Sequence, residues 1–145
     1  MEKSMDNINI ISKDDFLSFC DDYLVFLERF CTDVEIRNWC LNYDGYNYDG
    51  NHQELHDQIY KDFMINAYER KIVFPDSWMI WNEDLDRRWS QKEEGFVESL
   101  KFEEILALIS IVIRSDHTAD DLAENIGDGT LFHLFSAAKV RALGE

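Results

Sequence analysis

The stretch Ser99–Arg114, SLKFEEILALISIVIR, decides the fold. From Ile105 to Ile113 it is apolar on nearly every side, and a helix of that kind belongs in the middle of a protein. The same residues would also suit a buried strand. The lead-in argues for a helix: Ser99 stands ahead of it, and Glu103 and Glu104 fall in its first turns, at the positive end of the helix dipole. A central helix is therefore predicted over about residues 100–114, with the other elements packed around it.

Outward from that helix the chain reads as helical almost throughout. Ser12 with Asp15 resembles a capping box, and Phe16, Phe19, Cys20, Tyr23, Phe26, Leu27 and Phe30 recur every three or four residues. That spacing predicts a first helix with a bulky apolar stripe and with Asp14, Asp21, Asp22 and Glu28 turned outward. Residues 34–41 admit two readings. Thr32-Asp33 suits the cap of a short helix, while Val34 and Ile36 alternate as in a strand. Asn42–Gly50 (NYDGYNYDG) is a loop, since Asp-Gly occurs twice. Asn51 with Glu54 predicts a cap for a helix carrying Leu55, Ile59, Phe63, Met64 and Ala67 inward to about Arg70. Lys71–Phe74 reads as a short extended piece before Pro75.

Asp76 or Ser77 is the expected cap of a next helix, on which Trp78, Trp81, Leu85 and Trp89 share one side. Glu83 with Arg87, and Asp84 with Arg88, stand at i,i+4 in the favourable order. Thr118 and Asp121 predict the cap of a short helix ending at Gly127. Asp128 or Thr130 then opens a last helix through Leu131, Leu134, Phe135 and Ala138. The expected fold is mainly α, a single domain over residues 1–145 of five to six helices. Minor β structure is the alternative at 34–41 and 71–74, and residues 1–11 are expected to be loosely packed.

The bulk numbers agree with a folded domain. The 145 residues are 46% hydrophobic and 14% aromatic, with one proline, far from the composition of a disordered chain. Thirty acids against fourteen bases give a formal charge of −16, heavier at the front. Such a field repels phosphate backbones and anionic lipid and attracts cations or a basic partner. Cys20, Cys31 and Cys40 are an odd set with no framework spacing, and Cys20 and Cys31 sit among apolar residues like small core side chains. Residues 1–11 lack the pattern of a signal peptide, and the longest apolar run, Ile105–Ile113, is too short for a bilayer. A reducing cytoplasm is the expected location.

Motifs for chemistry are scarce. With Gly50 as the glycine of a calcium loop, Gly45 and His56 would stand at its first and last ligand positions, where neither fits. His52 and His56 are four apart and have Asp49 and Asp57 nearby, so these four are the candidates for a metal site. The string His-Gln-Glu-Leu-His nevertheless puts Glu54 one place away from the base of a zinc-protease motif. His117 and His133 have no recognisable nucleophile, and Gly127-Asp-Gly129 is a turn signal. No cofactor is predicted. The tryptophan side with Arg87 and Arg88 reads first as core plus intrahelical pairing. If exposed, Trp78, Trp81 and Trp89 beside those arginines form a candidate protein-binding patch. Arg114 and Asp116 close the central helix, as a cap of favourable charge or as an ion pair or clamp.

Two groups of residues carry a resemblance. Tyr68-Glu69, Ile72-Val73-Phe74 and Asp76-Ser77-Trp78-Met79 with Trp81 are one. Leu106–Ile113 with Arg114-Ser115-Asp116, Leu122-Ala123, Ile126 and Asp128-Gly129-Thr130-Leu131 are the other. Together they resemble a bacterial domain-of-unknown-function family, number 6508, over about residues 40–143. Members tend to carry an arginine-phenylalanine pair and a glycine after the Arg-x-Asp segment. Here His117-Thr118 and Asp120-Asp121 stand in that stretch. The resemblance implies a small bacterial or phage cytoplasmic protein and no particular reaction.

The expectation that follows is a non-enzymatic protein-binding domain that docks on a basic partner without touching nucleic acid or membrane. Its sharpest form is an immunity or anti-defence inhibitor, which requires the acids to cluster. The alternatives are a metal-dependent hydrolase built on His52 and His56, and a domain that self-associates through its tryptophans.

Overall fold

The computed structural model describes residues 10–43, 52–114 and 121–144. Helix α1 (Lys13–Thr32) begins where expected, because the Ser12 hydroxyl accepts the Asp15 N–H at 3.1 Å. Phe16, Phe19, Cys20, Leu27 and Phe30 are buried along it. Asp33 ends α1 and starts the next helix. Its own N–H donates to the Arg29 carbonyl, and its Oδ1 accepts the Ile36 N–H at 3.1 Å. The ambiguous segment is thereby helix α2 (Val34–Leu41). Ile36 and Cys40, four apart, are its buried residues, whereas Val34 is 67% exposed, so the strand-like alternation has no structural counterpart.

Helix α3 runs as α-helix over Gln53–Asp57, π-helix over Gln58–Phe63 and α-helix again over Met64–Glu69. Its buried residues Leu55, Ile59, Phe63 and Ala67 are spaced by four. On a 3.6-residue helix such a repeat drifts round the axis, and the wider i→i+5 turns offset the drift. The expected capping residue Asn51 lies outside the described residues. His52 precedes the helix in left-handed conformation, at φ 60°.

The extended piece expected at 71–74 is no strand. Lys71 turns left-handed (φ 65°), and the N–H groups of Ile72 and Val73 both donate to the Ala67 carbonyl. These residues therefore close the C-terminal turn of α3 and bury Ile72, Val73 and Phe74. Ser110 of the central helix meets the Phe74 N–H and the Ile72 carbonyl. Among the described residues there is no strand.

Asp76 and Ser77 do not cap a long helix. Ser77–Met79 is a 3-10 turn, and Asn82 caps helix α4 (Glu83–Ser90) by accepting the Leu85 N–H at 2.9 Å. A second 3-10 turn, Val97–Ser99, leads into α5 (Phe102–Arg114). Ser99 donates back to the Phe96 carbonyl, and the reciprocal cap is made by Glu104, whose Oε1 accepts the Lys101 N–H at 2.8 Å. Every side chain from Ile105 to Ser110 is buried, as are Phe102, Val112 and Ile113. This is the central helix predicted from its apolar circumference.

Helices α6 (Asp121–Gly127) and α7 (Thr130–Gly144) complete the fold. Asp128 Oδ1 accepts the Thr130 N–H at 2.9 Å to open α7. Seven helices stand among the described residues, one more than expected at most, the addition being α2. All seven send side chains into one core. α7 packs against α1 and α5, and Phe135 stacks on Phe16 at 5.7 Å while Phe102 meets Phe16 edge-on at 5.3 Å. No helix among the described residues is long and apolar enough to cross a membrane.

Candidate functional site

Two surfaces stand out from the residues upward. The first is the outer side of α1. Because its apolar stripe faces the core, Asp14, Asp15, Ser18, Asp21, Asp22, Val25, Glu28 and Arg29 are all left exposed. Asp14, Asp21 and Glu28 are seven apart, as are Asp15, Asp22 and Arg29, so they form two adjacent rows with steps of about 10 Å. Arg70 of α3 reaches across to Asp22 at 2.8 Å and lies over the Phe19 ring at 5.0 Å. Beside it, the Tyr23 hydroxyl donates to Asp62 at 2.6 Å, and burial together with that carboxylate pushes the phenol up to about 12. Asp33 and Glu35 continue the acidic surface onto α2, where Arg37 is also exposed.

The second is a cavity of about 540 Å³ where the loop after α4 meets the α6–α7 turn. Trp89, Lys92, Glu93, Phe96, Glu98, Asn125, Asp128 and His133 are among its lining residues. The loop is shaped by Lys92 and Gly95, both left-handed. Arg88 grips Glu93 with two hydrogen bonds of 3.1 and 3.0 Å and covers the Phe96 ring at 4.9 Å. That bidentate hydrogen bonding holds the Glu93 carboxyl below its ordinary range. Glu98 and His133 Nε2 stand 2.6 Å apart, which lowers the Glu98 carboxyl as well. The same pair lines a second cavity of about 480 Å³, with Ala137 and Val140 on its other side.

The tryptophans expected on one helix side are separated by the break at Asn82. Trp78 is 67% exposed and Trp81 is buried, its indole N–H donating to Asp86 at 3.2 Å. Trp89 is half-buried on the cavity wall. The two expected i,i+4 pairs are replaced by others. Arg87 pairs with Asp84 one turn back, and Arg88 turns to Glu93, where a bidentate fork and an aromatic surface are both available. Arg114 donates to the carbonyls of Phe74 and Pro75 and to the Ser77 hydroxyl, each at 3.3 Å. It clamps the chain's own 74–77 segment; Asp116 lies outside the described residues, as do Asp49 and His117.

His52 and His56 lie in an aromatic group. His52 meets Trp39 at 6.5 Å between ring centres, and His56 meets Tyr60 at 5.0 Å and Tyr43 at 6.0 Å. His56 Nδ1 is 3.4 Å from Asp57, whose carboxylate also takes Gln53 and Lys61. Among the described residues no group of three or more His, Cys, Asp or Glu is placed to hold a metal ion. Trp89 and the α1 acids are legible in the sequence but the cavity is not, because its walls come from residues up to 44 apart, Trp89 to His133.

Fold and surfaces together define a mainly α domain with an acidic outer helix and a sizeable cavity of mixed polar and aromatic lining. The chain belongs to the Family of unknown function (DUF6508), whose model matches residues 51–142. The match covers α3 to most of α7, and with them the whole cavity, while α1 and α2 precede it. No curated protein and no solved structure matches the chain.

Proposed function

We propose that this chain is a protein-binding domain that docks the outer side of α1 on a basic protein partner, in the reducing environment of a cytoplasm. The observation that carries the reading is the pair of seven-residue rows, in which Asp14, Asp15, Asp21, Asp22 and Glu28 stand exposed beside a single exposed arginine, Arg29. Exposed like charges held in register raise the local potential and steer a cationic surface toward it. Val25, 77% exposed between the rows, offers an apolar contact at their centre. Three thiols without a disulfide accord with a reducing compartment. In its sharpest form the domain is an immunity or anti-defence inhibitor covering the nucleic-acid site of its partner.

The test is capture from nuclease-treated lysate by the tagged chain and by a D14N/D21N/E28Q variant, at low and high salt. The reading expects a stoichiometric basic protein on the native chain, released by salt and lost from the variant. Equal capture by both chains, or none by either, overturns it. Competition between the chain and nucleic acid for that protein is expected of the inhibitor form, and simultaneous binding of both contradicts that form.

A further inference from the structure

We propose that the cavity between the α4 loop and the α6–α7 turn is a receptor for a guanidinium group, supplied by an arginine side chain of the partner. The inference rests on the docking reading and adds a second, specific contact to it.

The wall chemistry selects the ligand. Asn125 spends one amide N–H on the Asp121 carbonyl at 2.9 Å, which leaves its Oδ1 and the second N–H. Asp128 uses Oδ1 to accept the Thr130 N–H, which leaves its second oxygen. Glu98 meets His133 through Oε2, which leaves Oε1. Apart from one remaining Asn125 N–H, the hydrogen-bonding capacity left on these three residues is acceptor capacity, and two of the three carry negative charge. A ligand that satisfies several acceptors on different walls must be a cation with several donors, and guanidinium has five in a rigid plane.

Trp89 supplies the other half of the recognition, a half-buried indole on which such a plane stacks. The protein already uses this arrangement within itself. A few residues away Arg88 lies over the Phe96 ring while Glu93 holds it in a two-bond fork. Glu93 and Phe96 are thus occupied, and Trp89 with Glu98, Asn125 and Asp128 remains for an incoming group. Lys92, on an exposed left-handed loop position, and His133, already paired with Glu98, are the bases of the lining. An ammonium ion would make fewer of the bonds, and a neutral urea analogue would lack the charge.

The experiment follows the four tryptophan indole N–H signals by NMR, with Trp89 assigned through W89F. The probes are N-acetyl-arginine methylamide, its citrulline counterpart, free arginine and a short arginine-containing peptide. The arginine amide is expected to move the Trp89 signal saturably and to leave Trp78 unmoved, while the citrulline compound moves neither signal. D128N keeps a side-chain acceptor for the helix cap but loses the charge, and is expected to weaken arginine binding about fivefold; E98Q is the second variant, with the same expectation. No saturable shift, or an equal shift by citrulline, overturns the site. Free arginine binding more tightly than the peptide overturns the assignment to a protein partner. The D14N/D21N/E28Q chain should titrate like the native one, so loss of partner capture and loss of the guanidinium site are read separately.

Discussion

The Ser110 hydroxyl, fully buried in the central helix, donates to the Ile72 carbonyl at 3.0 Å and accepts the Phe74 N–H at 3.3 Å. One side chain thus satisfies two backbone groups of a segment that has no strand partner. Replacing Ser110 with alanine leaves a buried N–H and a buried carbonyl unmet, and such a loss costs about 1–3 kcal/mol. A urea titration of S110A is expected to show that drop with an unchanged slope. Stability equal to the native protein would show that water or a shifted backbone replaces the hydroxyl.

Gly127 fixes the approach of α6 to α2. A Cβ placed there would stand 2.5 Å from Cys40 Cβ and 3.4 Å from the Arg37 carbonyl. Because Cys40 Cβ is the root of a buried side chain on a helix, the backbones must separate to admit it. G127A is expected to lose about 1–3 kcal/mol, as overpacked cores do. The penalty should shrink when the substitution is made in a C40G background, and equal penalties in both backgrounds would place the strain elsewhere.

The three thiols should differ in reactivity. Burial pushes Cys20 and Cys40 up to about 12, while Cys31 is half-buried and raised chiefly for the same reason. Since the thiolate is the reacting form, a disulfide reagent at mildly alkaline pH is expected to label Cys31 first. Cys20 and Cys40 should react only as the protein unfolds. Peptide mapping of the native protein checks this, and early labelling of Cys40 would contradict the packing of α2 on α6.

The Glu98–His133 pair predicts an acid-dependent contribution to stability. The hydrogen bond from His133 is the main cause that holds the Glu98 carboxyl below its usual value. A carboxyl whose folded value is depressed stabilises the fold above its unfolded value and loses that stabilisation as pH falls through the folded one. The window therefore opens near the ordinary glutamate value, about pH 4.3, and extends downward. Both side chains are more than half exposed, so the contribution is at most about 1 kcal/mol. E98Q is expected to show a flatter acid limb than the native chain in unfolding midpoints measured across that window, and parallel limbs would contradict the pairing.

Much of the fold was legible because local and tertiary signals agree. Ser12 caps, Phe16 to Phe30 face inward, and Ile105 to Ile113 sit at the centre, each where its spacing places it. Elsewhere one short side chain decides. Asp33 settles the open 34–41 segment as α2, the helical one of its two readings, while Asn82 divides a tryptophan series whose steps alone look helical. At 71–74, β-branched and aromatic residues imitate a strand but serve as the apolar end of α3, because Ala67 and Ser110 take their backbone groups. The outward acids of α1 followed from the same periodicity as its core residues. The cavity did not, since no local pattern announces that Trp89, Glu98, Asn125 and Asp128 share a wall.

The central claim is that the α1 rows carry binding to a basic protein, and affinity under neutralisation of one row tests it most directly. The dissociation constant of the captured partner would be measured for the native chain and for D14N/D21N/E28Q, at low and at elevated salt, with circular dichroism to confirm that α1 is retained. Loss of three exposed charges at fractions of a kcal/mol each is expected to weaken binding about tenfold at low salt, with the difference narrowing as salt rises. Equal constants for the two chains at low salt would contradict it.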